Sequence, residues 1–225
     1  GFSFLAVIIA LLLIKKTSQP RSSGRLLLLK DIKEGVIYSY RNRMIFVLLS
    51  IIGMISLLGI SYVILMPVFA ADVLGVGVKG LAGLMSSVGI GAVCAALLLA
   101  RLGDFKGKGK VLLASCFIFS LSLILFSLSR IYVFSLFVLV AVGGTSVSAM
   151  SIVNTVLQQT VSDAFRGRVM SLFMFTFAGI MPFGNLIAGT LASHRGASYA
   201  VMVSGVSCAV FFFVIIFSYP RLKTL

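Results

Sequence analysis

Six stretches without a single Asp, Glu, Lys, Arg or His run through this chain, at residues 44–66, 80–100, 111–129, 131–153, 169–192 and 198–219. A helix rises about 1.5 Å per residue, so about twenty apolar residues cover the roughly 30 Å of hydrocarbon in a bilayer. Each stretch is therefore long enough to cross once. The apolar sequence from 111 to 153 must be two crossings, because one helix of that length would reach about twice the hydrocarbon thickness. Ser129-Arg130 marks the turn between them. The fold class predicted is an all-α membrane protein with a six-helix transmembrane bundle.

Charge supports the same division. Hydrophobic residues make up 60% of the chain and charged residues 11%, with nineteen Lys and Arg against five Asp and Glu for a net charge of +14. In a soluble protein that excess would suggest nucleic acid, but here the bases have no contiguous folded domain to sit on. Six crossings instead deliver sixteen of them to one side, and leave only Lys79, Arg130 and Arg195 on the other. Such segregation is what the positive-inside bias produces, and it predicts that both ends of the six-helix unit face the cytoplasm. Residues 220–225 then form a short cytoplasmic tail.

Residues 1–14 are apolar but too short to cross, and Lys15-Lys16 follow them instead of preceding them as in a signal peptide. They read as the truncated end of a preceding transmembrane helix. Residues 15–43 form a cytoplasmic linker. Its first part, with Thr17, Ser18, Pro20, Ser22, Ser23 and Gly24, is flexible in composition. From Leu28 onward, Leu28, Leu29, Ile32, Val36, Ile37 and Tyr40 recur at three- and four-residue spacing opposite Lys30, Asp31, Lys33, Glu34 and Arg41. That pattern predicts an amphipathic helix lying on the inner membrane surface.

Chemistry-bearing residues are few. No span carries an ionisable group of the kind that marks proton relays, so any proton coupling must draw on acids elsewhere. One histidine, His194, and five loop acids offer no metal-ligand spacing and no nucleophile–base constellation, so neither an enzyme nor a metal or other cofactor is expected. Cys94, Cys116 and Cys208 each lie in an apolar run, where a thiol packs as a small hydrophobe.

Uncharged polar groups are the handles that remain: Tyr62 near an outer end, Asn154 and Gln158 near an inner end, and Asn185 within the fifth span are the candidate substrate-cavity residues. A water-filled cavity or a neighbouring helix would satisfy either asparagine, and Tyr62 would equally suit an aromatic belt. In the second span Gly83, Ser87, Gly91 and Ala95 recur at every fourth position, and Gly184, Ala188 and Ala192 do so after Pro182 in the fifth. Bare helix faces of this kind serve static packing or a sliding interface. Pro182 predicts a kink.

The loop ARLGDFKGKGK, residues 100–110, resembles the loop signature of the major facilitator superfamily, in which Asp104, Gly107, Lys108 and Lys110 fit the pattern and Ala100 and Phe105 depart from it. Further matches run through DIKEGVIYSYRNR, YVILMPVFAADVLGVGVKGLAGLM, LQQTVSDAFRGRVMSL and GIMPFGNLIAGTLA. Together they are similar to the C-terminal half of the enterobactin-exporter-like branch, also called transmembrane secretion effectors or macrolide-efflux-like permeases. That resemblance implies a bacterial inner-membrane permease in which a missing N-terminal six-helix half completes twelve helices. It implies export of an amphipathic small-molecule substrate, siderophore or drug-like, by alternating access, with protons as a coupling ion. It also implies a gating role for Asp104, Gly107 and Lys108, and for Arg166 and Arg168 with Asp163 as partner. A lysophospholipid flippase of the same fold, and a non-transporting membrane interaction module, are the alternatives left open.

Overall fold

The computed structural model describes residues 25–220 and Leu222, with side chains from Lys33 onward. The half-length run 1–14, the linker 15–24, the side chains of Leu28, Leu29, Lys30, Asp31 and Ile32, and tail residues Arg221 and 223–225 lie outside the described residues. All regular structure among the described residues is helical. After α1 (Arg25–Arg41) come six helices long and apolar enough to cross a membrane: α2 (Arg43–Val73), α3 (Gly77–Leu102), α4 (Lys108–Leu128), α5 (Tyr132–Thr160), α6 (Asp163–Arg195) and α7 (Ala197–Ser218).

These helices correspond one for one to the six apolar stretches, but most outrun them. With 29 and 33 residues, α5 and α6 reach about 43 and about 50 Å, well past the hydrocarbon, so their polar basic-end turns stand clear of it. The boundaries have local causes. Asn42 breaks α1 from α2 in extended backbone, and its Oδ1 accepts from the Met44 amide at 3.1 Å, capping a free N–H of α2. Gly107 opens α4 at φ 93°, a left-handed conformation that costs glycine nothing and side-chained residues strain. The signature glycine of the α3–α4 loop is thus a backbone requirement.

Two helices are not regular. Pro182 in α6 has no amide hydrogen and its ring excludes the carbonyl four residues back, so Phe175–Gly179 just before it winds as a π turn. In α2, π turns at Ile55–Gly59 and Phe69–Val73 flank Pro67. The irregular stretches meet: the Ser56 hydroxyl of α2 donates to the Phe177 carbonyl that the α6 π turn frees. The kink expected at Pro182 therefore takes the form of a π turn shared with a crossing helix.

Lipid offers no hydrophobic drive to bring helices together, so packing depends on small residues that let backbones touch. The stripe Gly83, Ser87, Gly91 lies against α5: a methyl on Gly91 would stand 2.8 Å from the Val140 carbonyl carbon and 2.9 Å from the Gly144 amide nitrogen. Across the same contact, a methyl on Gly143 would stand 2.8 Å from the carbonyl carbon of Val88. Gly184 of α6 is pressed as closely onto the Leu57 carbonyl of α2. Phe119, Phe126 and Phe212 fill the centre between α4 and its neighbours, with the rings of Phe69 and Phe126 stacked at 4.5 Å. Of the six spans, α3 and α6 are the least covered by the rest of the bundle.

The connections gather at two ends. At one end lie the α1–α2, α3–α4 and α5–α6 junctions, which hold most of the described bases. At the other, Arg130 donates to the Ser198 hydroxyl at 2.9 Å and Tyr132 to the Gly80 carbonyl at 3.3 Å, tying the α4–α5 turn to α7 and α3.

The helix expected between the linker and the first span is present as α1, and one side of it packs against the bundle. It docks on α6 through Glu34, Gly35, Tyr38 and a buried Ser39, while Val36, Ile37 and Tyr40 of the expected apolar stripe are exposed. Hydrophobic periodicity located the helix, but a glycine and an ion pair chose the side that docks.

Candidate functional site

At the basic end, Lys108 is the first residue of α4, and the tight Gly107 turn aims it back under its own loop. Only 7% of it is exposed. Its ammonium forms an ion pair with Asp104 and donates to Gln159 Oε1 on the last turn of α5 at 2.9 Å, while Gln159 Nε2 reaches Asp104 at 3.4 Å. The Lys108 bond, with the Gln159 bond and the nearby positive charge behind it, holds the Asp104 carboxyl below its ordinary pKa. A small cavity of about 70 Å³ beside Lys108 is walled by Leu99, Phe105, Ser151 and Thr155. Three elements, the loop, α4 and α5, are joined here through one buried cation.

A second chain of bonds connects α5 to α6. Asn154 and Gln158 sit one helical turn apart, and Gln158 Nε2 donates to Asn154 Oδ1 at 2.7 Å. Arg166 Nε donates to the Gln158 carbonyl at 3.2 Å, and the Arg166 guanidinium pairs with Asp163 at 2.7 Å. Asn154 and Gln158 thus stand at the same end as Asp163 and Arg166. Arg168 diverges from Arg166. It pairs with Glu34 of α1 at 2.8 Å and lies 5.4 Å over the Phe165 ring, which in turn stacks on Tyr38 at 4.4 Å.

Asn185 stands apart from these. It lines an open groove of about 420 Å³ on the far half of α6, with Pro182, Leu186, Gly189, Thr190 and Ser193 of α6 and Ile64 of α2. Thr190 and Ser193 donate to their own helix, which leaves oxygen lone pairs free to accept. The Asn185 amide has no hydrogen-bond partner among the described residues and is partly exposed. Among the described residues no ionisable group lines the groove, whose walls can accommodate apolar surface and offer hydrogen bonds but supply no counter-charge for an ion. Tyr62 is not on its lining; it is buried in the core two residues before Ile64.

Gln159, Glu34, Phe165 and Tyr38 are the participants that sequence reasoning passed over. Gln159 carried a usable signal. Adjacent side chains on a helix point about 100° apart, so if Gln158 faces Asn154 then Gln159 must face another element. Glu34 figures in the sequence only as part of an amphipathic pattern, and Tyr38 falls outside that pattern altogether.

No curated protein and no solved structure matches the chain. One family model does, described as transmembrane secretion effector, and it covers residues 1–225. Six membrane-crossing helices, a loop with the superfamily's Asp104, Gly107 and Lys108, and this match from end to end lead to one assignment: the chain belongs to the transmembrane secretion effector family, multi-pass membrane transporters of the major facilitator type.

Proposed function

We propose that the protein exports amphipathic small molecules, siderophore-like or drug-like, by alternating access across a bacterial cytoplasmic membrane, with both ends of the six-helix unit on the cytoplasmic side. The observation that carries this is the Asn185 groove, an uncharged recess on the far half of α6 whose carboxamide has no partner among the described residues. Its walls suit a ligand that is largely apolar and makes a few hydrogen bonds. The ties at the basic end supply the other half of the cycle. Asp163–Arg166 with Gln158 is an exposed polar link that can form in one state and break in the other at modest cost, whereas opening Asp104–Lys108–Gln159 requires the buried Lys108 ammonium to find solvent or new partners.

A second six-helix half is part of the proposal. The apolar faces of α3 and α6 are the least covered in the bundle, and in a major facilitator transporter the two halves rock against each other about a midplane site. Protons are the proposed coupling ion, and their acid then lies outside the six charge-free stretches. The same uncharged groove also favours a lysolipid as cargo, which keeps the flippase alternative in view.

Asn185→Ala tests the proposal in vesicles containing the complete transporter. Losing two or three hydrogen bonds to a bound ligand should lower export of hydrogen-bonding substrates about tenfold and leave purely apolar ones nearly unchanged. Equal loss for every substrate, in step with a fall in folded protein, would make Asn185 a packing residue and remove the groove from the pathway. Fluorescent lysolipid assayed beside a soluble drug separates flippase from exporter.

A further inference from the structure

The side of α1 turned away from α6 has a composition that its docking does not explain. Lys33, Val36, Ile37, Tyr40 and Arg41 fall at helical spacing on that side, and all are exposed, Tyr40 by 74%. The stripe does not stop at the break in Asn42. Arg43 and Phe46 continue it onto the first turn of α2, both exposed, with the Phe46 ring meeting Tyr40 edge-on at 5.7 Å. Three bases and four large apolar side chains thus form one surface. Among the described residues the bases have no acidic partner, and Glu34, the acid nearest in sequence, is turned to Arg168.

Whatever covers Tyr40 must be continuous with whatever covers Phe46, because the rings touch. Phe46 opens a helix whose following turns are long and apolar enough to lie in hydrocarbon. A layer that is apolar at depth and anionic at its rim fits both halves of the surface, whereas an acidic protein segment would fit the bases and leave Phe46 unexplained. We propose that this face of α1 and the start of α2 is a binding surface for anionic phospholipid headgroups. Val36, Ile37, Tyr40 and Phe46 seat in the acyl boundary, and Lys33, Arg41 and Arg43 meet the phosphates. The surface does not depend on the protein moving any solute.

The chain contains no tryptophan, so Tyr40→Trp provides a single fluorescent reporter on this face. The intact protein carrying it is reconstituted in two vesicle sets of equal lipid composition, phosphatidylcholine with about 20% phosphatidylglycerol, an anionic fraction large enough to present a charged surface. Acyl-chain bromine is carried by the phosphatidylglycerol in one set and by an equal amount of phosphatidylcholine in the other. Quenching by the anionic lipid should be the stronger. A base at an anionic surface contributes about a fivefold preference, so Arg41→Gln should weaken the selectivity by about that factor. Replacing Lys33, Arg41 and Arg43 together by Gln should leave equal quenching by both lipids. Equal quenching in the protein with all three bases would overturn the proposal, and absence of quenching by either lipid would place the face away from the membrane and overturn it as well. Unchanged thermal unfolding of the variants shows that the bundle is intact when the lipid preference is read.

Discussion

Replacing Gly91 by Ala should loosen the backbone-to-backbone contact between α3 and α5, and the size of the effect can be worked out from the geometry. The added methyl would lie 2.8 Å from the Val140 carbonyl carbon and 2.9 Å from the Gly144 nitrogen, both backbone atoms that no rotamer change can move. Carbon atoms are comfortable at about 3.5–4.0 Å, so α3 and α5 must part by about 1 Å, and overpacking of this kind costs about 1–3 kcal/mol. Alanine also recovers about 1 kcal/mol of helix propensity, which partly conceals the clash. Gly89→Ala removes that ambiguity. It lies two residues away on the same helix, where a methyl meets nothing within 4 Å, so it gains the propensity without the clash. The propensity gain is common to both, so the two variants should differ by the clash alone, about 1–3 kcal/mol, or about 2–12 °C in unfolding temperature for a chain of this size. A thiol-reactive fluorogenic dye can follow unfolding in detergent, because Cys116 and Cys208 are buried, provided exposed Cys94 is first replaced by Ser. Equal unfolding temperatures for Gly91→Ala and Gly89→Ala would refute the backbone contact between α3 and α5.

Two further outcomes test the basic end. Glu34→Arg or Arg168→Glu alone should speed amide exchange in α1 about two- to fivefold, a modest effect because both side chains are about one-third exposed, and the double swap should restore most of the protection. Asp104 has a folded-state pKa below its unfolded value, so its contribution to stability is present above the unfolded value and is lost as pH falls through the lowered folded one. Compared with Asp104→Asn, the parent should keep its thermal advantage from pH 7 down to about pH 4 and lose it in stronger acid. A difference that instead grew on acidification would contradict the Lys108 pairing.

Much of the fold could be read before any coordinates, because the physics of a bilayer is coarse. Hydrocarbon excludes charge, so charge-free stretches mark the crossings, and Ser129-Arg130 was legible as the turn within an otherwise continuous apolar sequence. The small-residue stripe at Gly83, Ser87 and Gly91 was also visible, since only small residues let helices approach in lipid; that its partner would be Gly143 and Val140 of α5 was not, because a stripe says nothing about what lies opposite. The candidate site was less legible. Asn154 and Gln158 follow the apolar stretch that ends at residue 153, so their place near an inner end was legible, but their bond to each other was not. Asn185 lines an open groove, and an uncharged stretch does not tell whether a polar side chain within it meets a neighbouring helix or an opening. The docking of α1 was hidden for a related reason: Gly35 and Glu34 decide which side meets α6, and hydrophobic periodicity does not weigh a glycine or a single ion pair.

The account depends on bases being sorted to alternate ends of six crossings. Lys106, on the α3–α4 loop, and Lys79, near the start of α3, are both exposed and stand at opposite ends of one helix. With native cysteines replaced, single cysteines at these two positions should react oppositely with a membrane-impermeant thiol reagent in intact cells: the one at position 79 labelled from outside, the one at position 106 labelled only after the membrane is opened. Labelling of both from the same side would contradict the threading and the transporter architecture built on it.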